Sequence, residues 1–350
     1  PEAEQRRVQI KQAVEQFARS FPKCRLLVTS RIYAYQKQEW QLNDFVVTTL
    51  APFIPEQIRH FIDRWYAHIA VVRQQNLEDA RGRAELLKRE VFRNDRLLGL
   101  AERPLLLTLM ASLHAWRGGN LPEKREALYA DTVNLLLDWW ESPKTVRDGR
   151  GQPVVQQPAL AEWLRVDRDR VRELIEELAY EAHRSQPNLT GTADISQSRL
   201  VEGLMQLTQN PDVKPARLIE YLSNRAGLLL PRGVGVFTFP HRTFQEYLAA
   251  CYLTRHMEPE EIAALACADV DRWREVTLLA AARATEGMST GFWAIVDNLC
   301  PEALPPDCSE DARLWGTHLA GQALVESINL DRVSERNRQK ANRVRDGLLT

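Results

Sequence analysis

Much of what would assign this chain to a large functional class is missing from it. Only five of its 350 residues are cysteine (Cys24, Cys251, Cys267, Cys300 and Cys308), and no two form a CxxC pair. A sparse, odd set of this kind excludes a disulfide framework and reads as reduced thiols of an intracellular, cytoplasmic protein. The most apolar stretch, Pro104–Trp116, is interrupted by Ser112 and His114. It falls short of the roughly 20 apolar residues a spanning helix needs, so no membrane is expected as a partner. Charge of one sign is lacking too: 46 Lys+Arg stand against 47 Asp+Glu, a net charge of −1. No global field holds nucleic acid, and any such binding needs a local patch. The seven histidines form no HxxxH pair and none lies at zinc-ligand spacing from a cysteine, so no metal site is expected. There is no Gly-Lys step, hence no P-loop, and no apolar run ends in paired acids that could hold Mg²⁺. The chain alone is not expected to hydrolyse a nucleotide.

What is present is an ordinary globular composition, 44% hydrophobic and 27% charged, long enough for two or three modules at about 150 residues each. The first residue is Pro1 rather than Met, which reads as a fragment or a processed product. The fold class expected is mainly α, with the remnant of a parallel α/β core. Residues 1–54 hold a helix over Pro1–Phe21 and two apolar runs, Cys24–Ser30 and Phe45–Leu50, that suit strands buried on both faces. Residues 55–142 are all-α. Pro55 opens an amphipathic helix carrying Ile58, Phe61, Ile62, Trp65 and Ile69; Pro122–Trp140 aligns Leu128, Thr132, Leu135, Leu136 and Trp139.

A stretch rich in proline and glycine, 143–158, reads as a linker or hairpin-like loop and marks the next boundary. In 143–257, helices over Arg170–His183, Ser196–Gln209 and Pro215–Ala226 precede Gly227, expected as a C′ glycine. A hairpin then turns through Pro231–Gly235. Three helices and a hairpin are the order of a winged helix. Its helix before the wing carries Arg217 and Arg225 against Glu220, too little positive charge for a DNA reader, so a structural winged helix is expected. Residues 258–350 read as a train of helices (259–267, 271–285, 290–299, 311–327, 334–349), solenoid-like. Gly287-Met288-Ser289-Thr290-Gly291 matches GxSxG, but a helix rather than a strand is expected before it, so a helix–helix turn is the reading.

Four stretches, in order, resemble the NACHT family of STAND nucleotide-binding switches. They are CRLLVTSR (Cys24–Arg31); LAPFIPEQIRHFIDRWY (Leu50–Tyr66); RPLLLTLMASLHAW (Arg103–Trp116) with LPEKREALY (Leu121–Tyr129); and FPHRTFQEYL (Phe239–Leu248). The opening PEAEQRR resembles the sequence that directly follows a Walker B strand. The resemblance therefore implies that P-loop and Walker B, with Mg²⁺, belong upstream. It implies a sensor 1 role for Arg31 toward a γ-phosphate, as a fixed positive charge at a strand's carboxyl end. It implies a purine surface from Phe61, Pro104, Leu105 and Thr108. It also implies that His241 reaches the β-phosphate of ADP, with Thr243 as N-cap and Glu246 closing a capping box.

By the same resemblance the chain is a lid, winged helix and helical extension in an ADP/ATP-dependent switch. Such a switch self-associates on activation to drive an attached effector, in microbial defence. The alternative is an interaction scaffold of helices and winged helix without nucleotide binding.

Overall fold

The computed structural model describes residues 2–29, 41–122, 124–147, 152–187, 191–223, 227–285, 290–302, 310–330 and 333–349. The chain divides into two compact units, residues 1–120 and 121–350. Among the described residues helices dominate, with two small antiparallel sheets.

The first unit opens with α1 (Glu2–Ser20). The two apolar runs after it do not form the strands expected of them: 25–29 and 45–50 belong to no sheet. A strand needs the N–H and C=O groups of a neighbour, and no partner strand lies beside them among the described residues. Their composition still suits burial on two faces, and it leaves Leu27, Val46 and Leu50 at least 91% exposed. The expected parallel pair is thus corrected to segments without strand pairing among the described residues, while their exposed apolar side chains are the aggregation liability that runs lacking the rest of their sheet are expected to be.

Four helices complete this unit: α2 (Pro55–Val72), α3 (Leu77–Arg93), α4 (Asp95–Ala101) and α5 (Pro104–Trp116). Pro55 and Pro104 sit in the first turns of α2 and α5, where the missing N–H is no loss. The Gln57 side chain accepts from the Ile54 N–H at 3.0 Å, and Asn76 caps α3 by accepting from the Glu78 N–H at 2.8 Å. The buried line of α2 is Ile58, Ile62, Tyr66 and Ala70, with Phe61, Trp65 and Ile69 half-buried at its edge. α5 is buried nearly all round. His114 takes part by pairing its Nδ1 with the Tyr66 hydroxyl.

The second unit begins with α6 (Arg125–Glu141), which the sequence groups with the preceding helices but which packs on later ones. Its fully buried tryptophan is Trp140; Trp139 is 47% exposed, one residue away from the expected face. The proline-rich stretch forms an antiparallel hairpin, β1 (Lys144–Arg147) with β2 (Pro153–Gln157). Then come α7 (Leu160–Leu164), α8 (Arg168–Ser185), β3 (Ile195–Ser196), α9 (Gln197–Leu207), α10 (Pro215–Ser223), β4 (Leu230–Gly233) and β5 (Val236–Thr238). The sheet order is β3-β5-β4. The β4–β5 turn uses Gly235 at φ 73°, a left-handed conformation glycine adopts without strain. Three helices and a wing are therefore present, together with the short β3 that the sequence does not announce.

α11 (Arg242–His256) lies against α8, α6 and α13. The extension follows as α12 (Pro259–Ala268), α13 (Val270–Ala284), α14 (Thr290–Leu299), α15 (Glu310–Ser327) and α16 (Glu335–Leu349), each packing on its neighbours in the chain. Helices flank the GxSxG stretch on both sides, and no strand leads into it; residues 287–289 lie outside the described residues. α14 and α15 cross closely at Gly316, where an added Cβ would overlap the Leu299 carbonyl oxygen. Gly316→Ala is expected to cost about 1–3 kcal/mol, because a backbone atom cannot swing aside. The measurement is the urea midpoint, and an unchanged midpoint would show that the helices can part.

Candidate functional site

The residues singled out from the sequence fall in both units. In the first, Phe61 comes from α2, and Pro104, Leu105 and Thr108 from the first two turns of α5, the two helices being in contact. Phe53 ties them together. Its N–H donates to the Glu102 carbonyl at 2.7 Å, and its ring lies 6.3 Å from that of Phe61. Pro104 is exposed, Leu105 is 42% exposed and Phe61 is half-buried, so flat apolar surface is accessible here. Thr108 Oγ1 donates to the Pro104 carbonyl at 2.8 Å and so contributes its methyl more than its hydroxyl. Arg31 lies outside the described residues.

In the second unit His241 is itself the N-cap of α11, in extended conformation at φ −150° and ψ 152°. Its Nδ1 accepts from the Thr243 N–H at 3.2 Å and lies 2.9 Å from Thr243 Oγ1. This corrects the expected cap. Thr243 already lies inside the helix, and Glu246 turns instead to Arg242, 2.6 Å away. The geometry has a chemical consequence. A backbone N–H can only donate, so Nδ1 keeps its lone pair and the neutral ring carries its proton on Nε2. The histidine at this helix start is thereby fixed as an Nε2–H donor.

Behind the cap lies a buried polar network that sequence reasoning missed. His183 of α8, with no exposed surface, donates from Nε2 to the Arg272 carbonyl at 2.9 Å. Its Nδ1 accepts from the Gln245 amide at 3.1 Å. The same amide donates to Gln186, and the Gln245 oxygen accepts from the Ala193 N–H at 2.7 Å. One glutamine of α11 thus links α8, the loop leading to β3 and, through His183, α13. The available signal was a polar Gln-Glu pair within an otherwise apolar helix, Phe244–Leu248. Burial pushes the His183 imidazole down to about 4, outweighing its hydrogen bond to the Arg272 backbone. Burial also pushes the Cys251 thiol up to about 11, which leaves it inert as a nucleophile.

A domain of three helices and a wing, followed by a histidine-capped helix, defines a winged-helix protein. Residues 125–253 match the family described as a winged helix-turn-helix domain C-terminal to NACHT. That match supports reading residues 125–253 as a winged helix of the kind that follows the NTPase domain in NACHT-type proteins. It runs from the start of α6 into α11, so α6 belongs to the matched segment as well as to the second unit. No curated protein matches the chain. Among the described residues no helix is long and apolar enough to cross a membrane.

Proposed function

We propose that this chain is the nucleotide-responsive switch portion of a NACHT-type NTPase, reading ADP against ATP. The observation that carries the reading is the His241 cap: a neutral imidazole whose Nδ1 is spent on α11 and whose Nε2–H suits a phosphate oxygen. The reading assigns a purine face to Phe61, Pro104 and Leu105, with the Thr108 methyl beside them, since flat apolar groups favour such a ring. Arg31 would read the γ-phosphate. ADP supplies the anionic diphosphate; the chain's own groups supply a donor at Nε2 and an apolar surface. A histidine that favours one nucleotide state shifts the switch only by its differential affinity for that state. Self-association on activation and a role in microbial defence belong to the same reading, as does a cytoplasmic location.

The test is ADP calorimetry on the full-length protein, comparing wild type with two variants. His241→Ala removes both the cap and the donor. His241→Asn keeps an acceptor suited to the N-cap but lacks the reach of Nε2. Both are expected to lose about tenfold in ADP affinity, roughly 1.4 kcal/mol, while only His241→Ala loses stability. Undiminished binding by His241→Asn would remove the phosphate role. Absence of any nucleotide binding by wild type would leave the interaction scaffold as the better reading.

A further inference from the structure

In the second unit the buried carboxylate of Glu126 and the half-buried charges of Arg125, Glu275 and Glu326 gather at the first turn of α6. Arg125 reaches into the extension in two directions, to Glu275 of α13 at 2.9 Å and to Glu326 of α15 at 3.6 Å. Its neighbour Glu126, only 2% exposed, turns to the winged helix. It accepts from the Tyr247 hydroxyl of α11 at 3.3 Å and lies 3.9 Å from the Arg283 guanidinium of α13. Arg283 donates in turn to the Tyr247 hydroxyl and to Thr254 Oγ1, both at 3.2 Å. On the same helix α11, one turn before Tyr247, Arg242 pairs with the buried Glu246. Burial pushes the Glu246 carboxyl up, Arg242 and Arg125 pull it down, and Glu275 pushes it up. Two consecutive residues of α6 therefore both reach the extension, and Glu126 also holds α11.

Buried pairs differ from surface pairs in what their loss does. A solvated ion pair can be broken with little consequence. Here Glu126 is buried and the side chains of Arg125, Glu275 and Glu326 are 20%, 33% and 19% exposed, so removing one partner leaves a largely desolvated charge that must find a new arrangement, and the surrounding helices loosen. Arg125 without Glu326 keeps its hydrogen bond to Glu275, on a different helix. Because Arg125 and Glu126 share one helical turn, a shift of the first displaces the second, and Tyr247 with it. Tyr247 lies six residues after His241 on a rigid helix, so α11 carries the displacement to its own start.

We propose that the first turn of α6 is a charge-paired joint through which α15 of the extension sets the seating of α11, and so the His241 cap. A partner or modification acting on α15 near Glu326 would then be felt at the histidine through packed, paired side chains in direct contact. The use of this joint in nucleotide control rests on the reading given under Proposed function; the joint itself does not.

The experiment is amide hydrogen exchange on the whole chain without nucleotide. The reporters are the Thr243 and Phe244 amides, which donate to His241 Nδ1 and to the His241 carbonyl. Glu326→Gln and, separately, Glu275→Gln are nearly isosteric and preserve packing. Each is expected to accelerate exchange at these two amides on the order of five- to tenfold relative to the α9 amides. Arg345→Gln, which breaks only the exposed Arg345–Asp346 pair, should change nothing. Exchange at Thr243 and Phe244 that stays unchanged, or that rises only in step with α9, overturns the joint. ADP calorimetry separates the two ideas. Local acceleration in a protein that binds no nucleotide keeps the joint and removes the nucleotide reading, whereas intact ADP binding without local acceleration does the reverse.

Discussion

Gly227→Ala is expected to destabilise the 121–350 unit by about 3–5 kcal/mol. Two separate costs add at this position. The residue sits at φ +147°, a backbone conformation in which an L side chain is strained by about 1–3 kcal/mol. A Cβ there would also lie 2.8 Å from the Leu136 carbonyl oxygen, 2.8 Å from Trp140 Cβ and 2.9 Å from Trp140 N. Two of these three are backbone atoms of α6, and Trp140 is fully buried, so nothing nearby can yield. Gly203 in α9 makes the contrast. Its added Cβ would meet the flexible end of Leu174, and alanine is favoured over glycine inside a helix by about 1 kcal/mol, so Gly203→Ala should be close to neutral. Urea unfolding followed by tryptophan fluorescence distinguishes the two. Equal midpoints for Gly227→Ala and wild type would mean that the α6 contact is not rigid.

The reason for Gly227 was only partly legible in the sequence. A glycine after a helix reads as a C′ residue, and the further constraint at Gly227 comes from Trp140, 87 positions earlier. The same division runs through the molecule. Helices α12 to α16 were legible to within a residue or two, because proline and the 3.6-residue period are local signals. Trp139 and Trp140 exchange roles because one residue rotates a helical face by about 100°. Ile195–Ser196 becomes a strand only by pairing with Val236–Phe237, which no local pattern announces. Cys24–Ser30 and Phe45–Leu50 show the converse. Their composition is that of buried strands, but a strand exists only with a neighbour. Around the candidate site, the helix starts at Pro104 and after His241 were legible through the motifs around them. The cap that fixes the His241 tautomer, and the Glu126–Tyr247 contact across 121 positions, were not.

Lowering the pH should weaken the second unit through His183. The ordinary imidazole value is 6.5, and in the fold burial holds His183 at about 4. Between those values the unfolded chain binds a proton that the folded chain refuses. Stability therefore falls as pH drops through this window, is fully present above 6.5, and loses nothing more from this group once pH is below about 4. At about 1.4 kcal/mol per unit, the loss from pH 7 is about 2 kcal/mol at pH 5 and about 3 kcal/mol at pH 4. His114 in the first unit, also held at about 4 by burial and by the Arg83 charge, adds a slope of the same sign. The His183 share is isolated with His183→Gln, whose carbonyl can accept from Gln245 and whose amide can donate to the Arg272 carbonyl. Urea midpoints of the two proteins should be close at pH 7 and diverge at pH 5, with the variant becoming the more stable. Parallel pH profiles would mean that the His183 imidazole protonates inside the fold without disturbing Gln245 or Arg272, and the buried network would lose its claim to hold α8, α11 and α13 together.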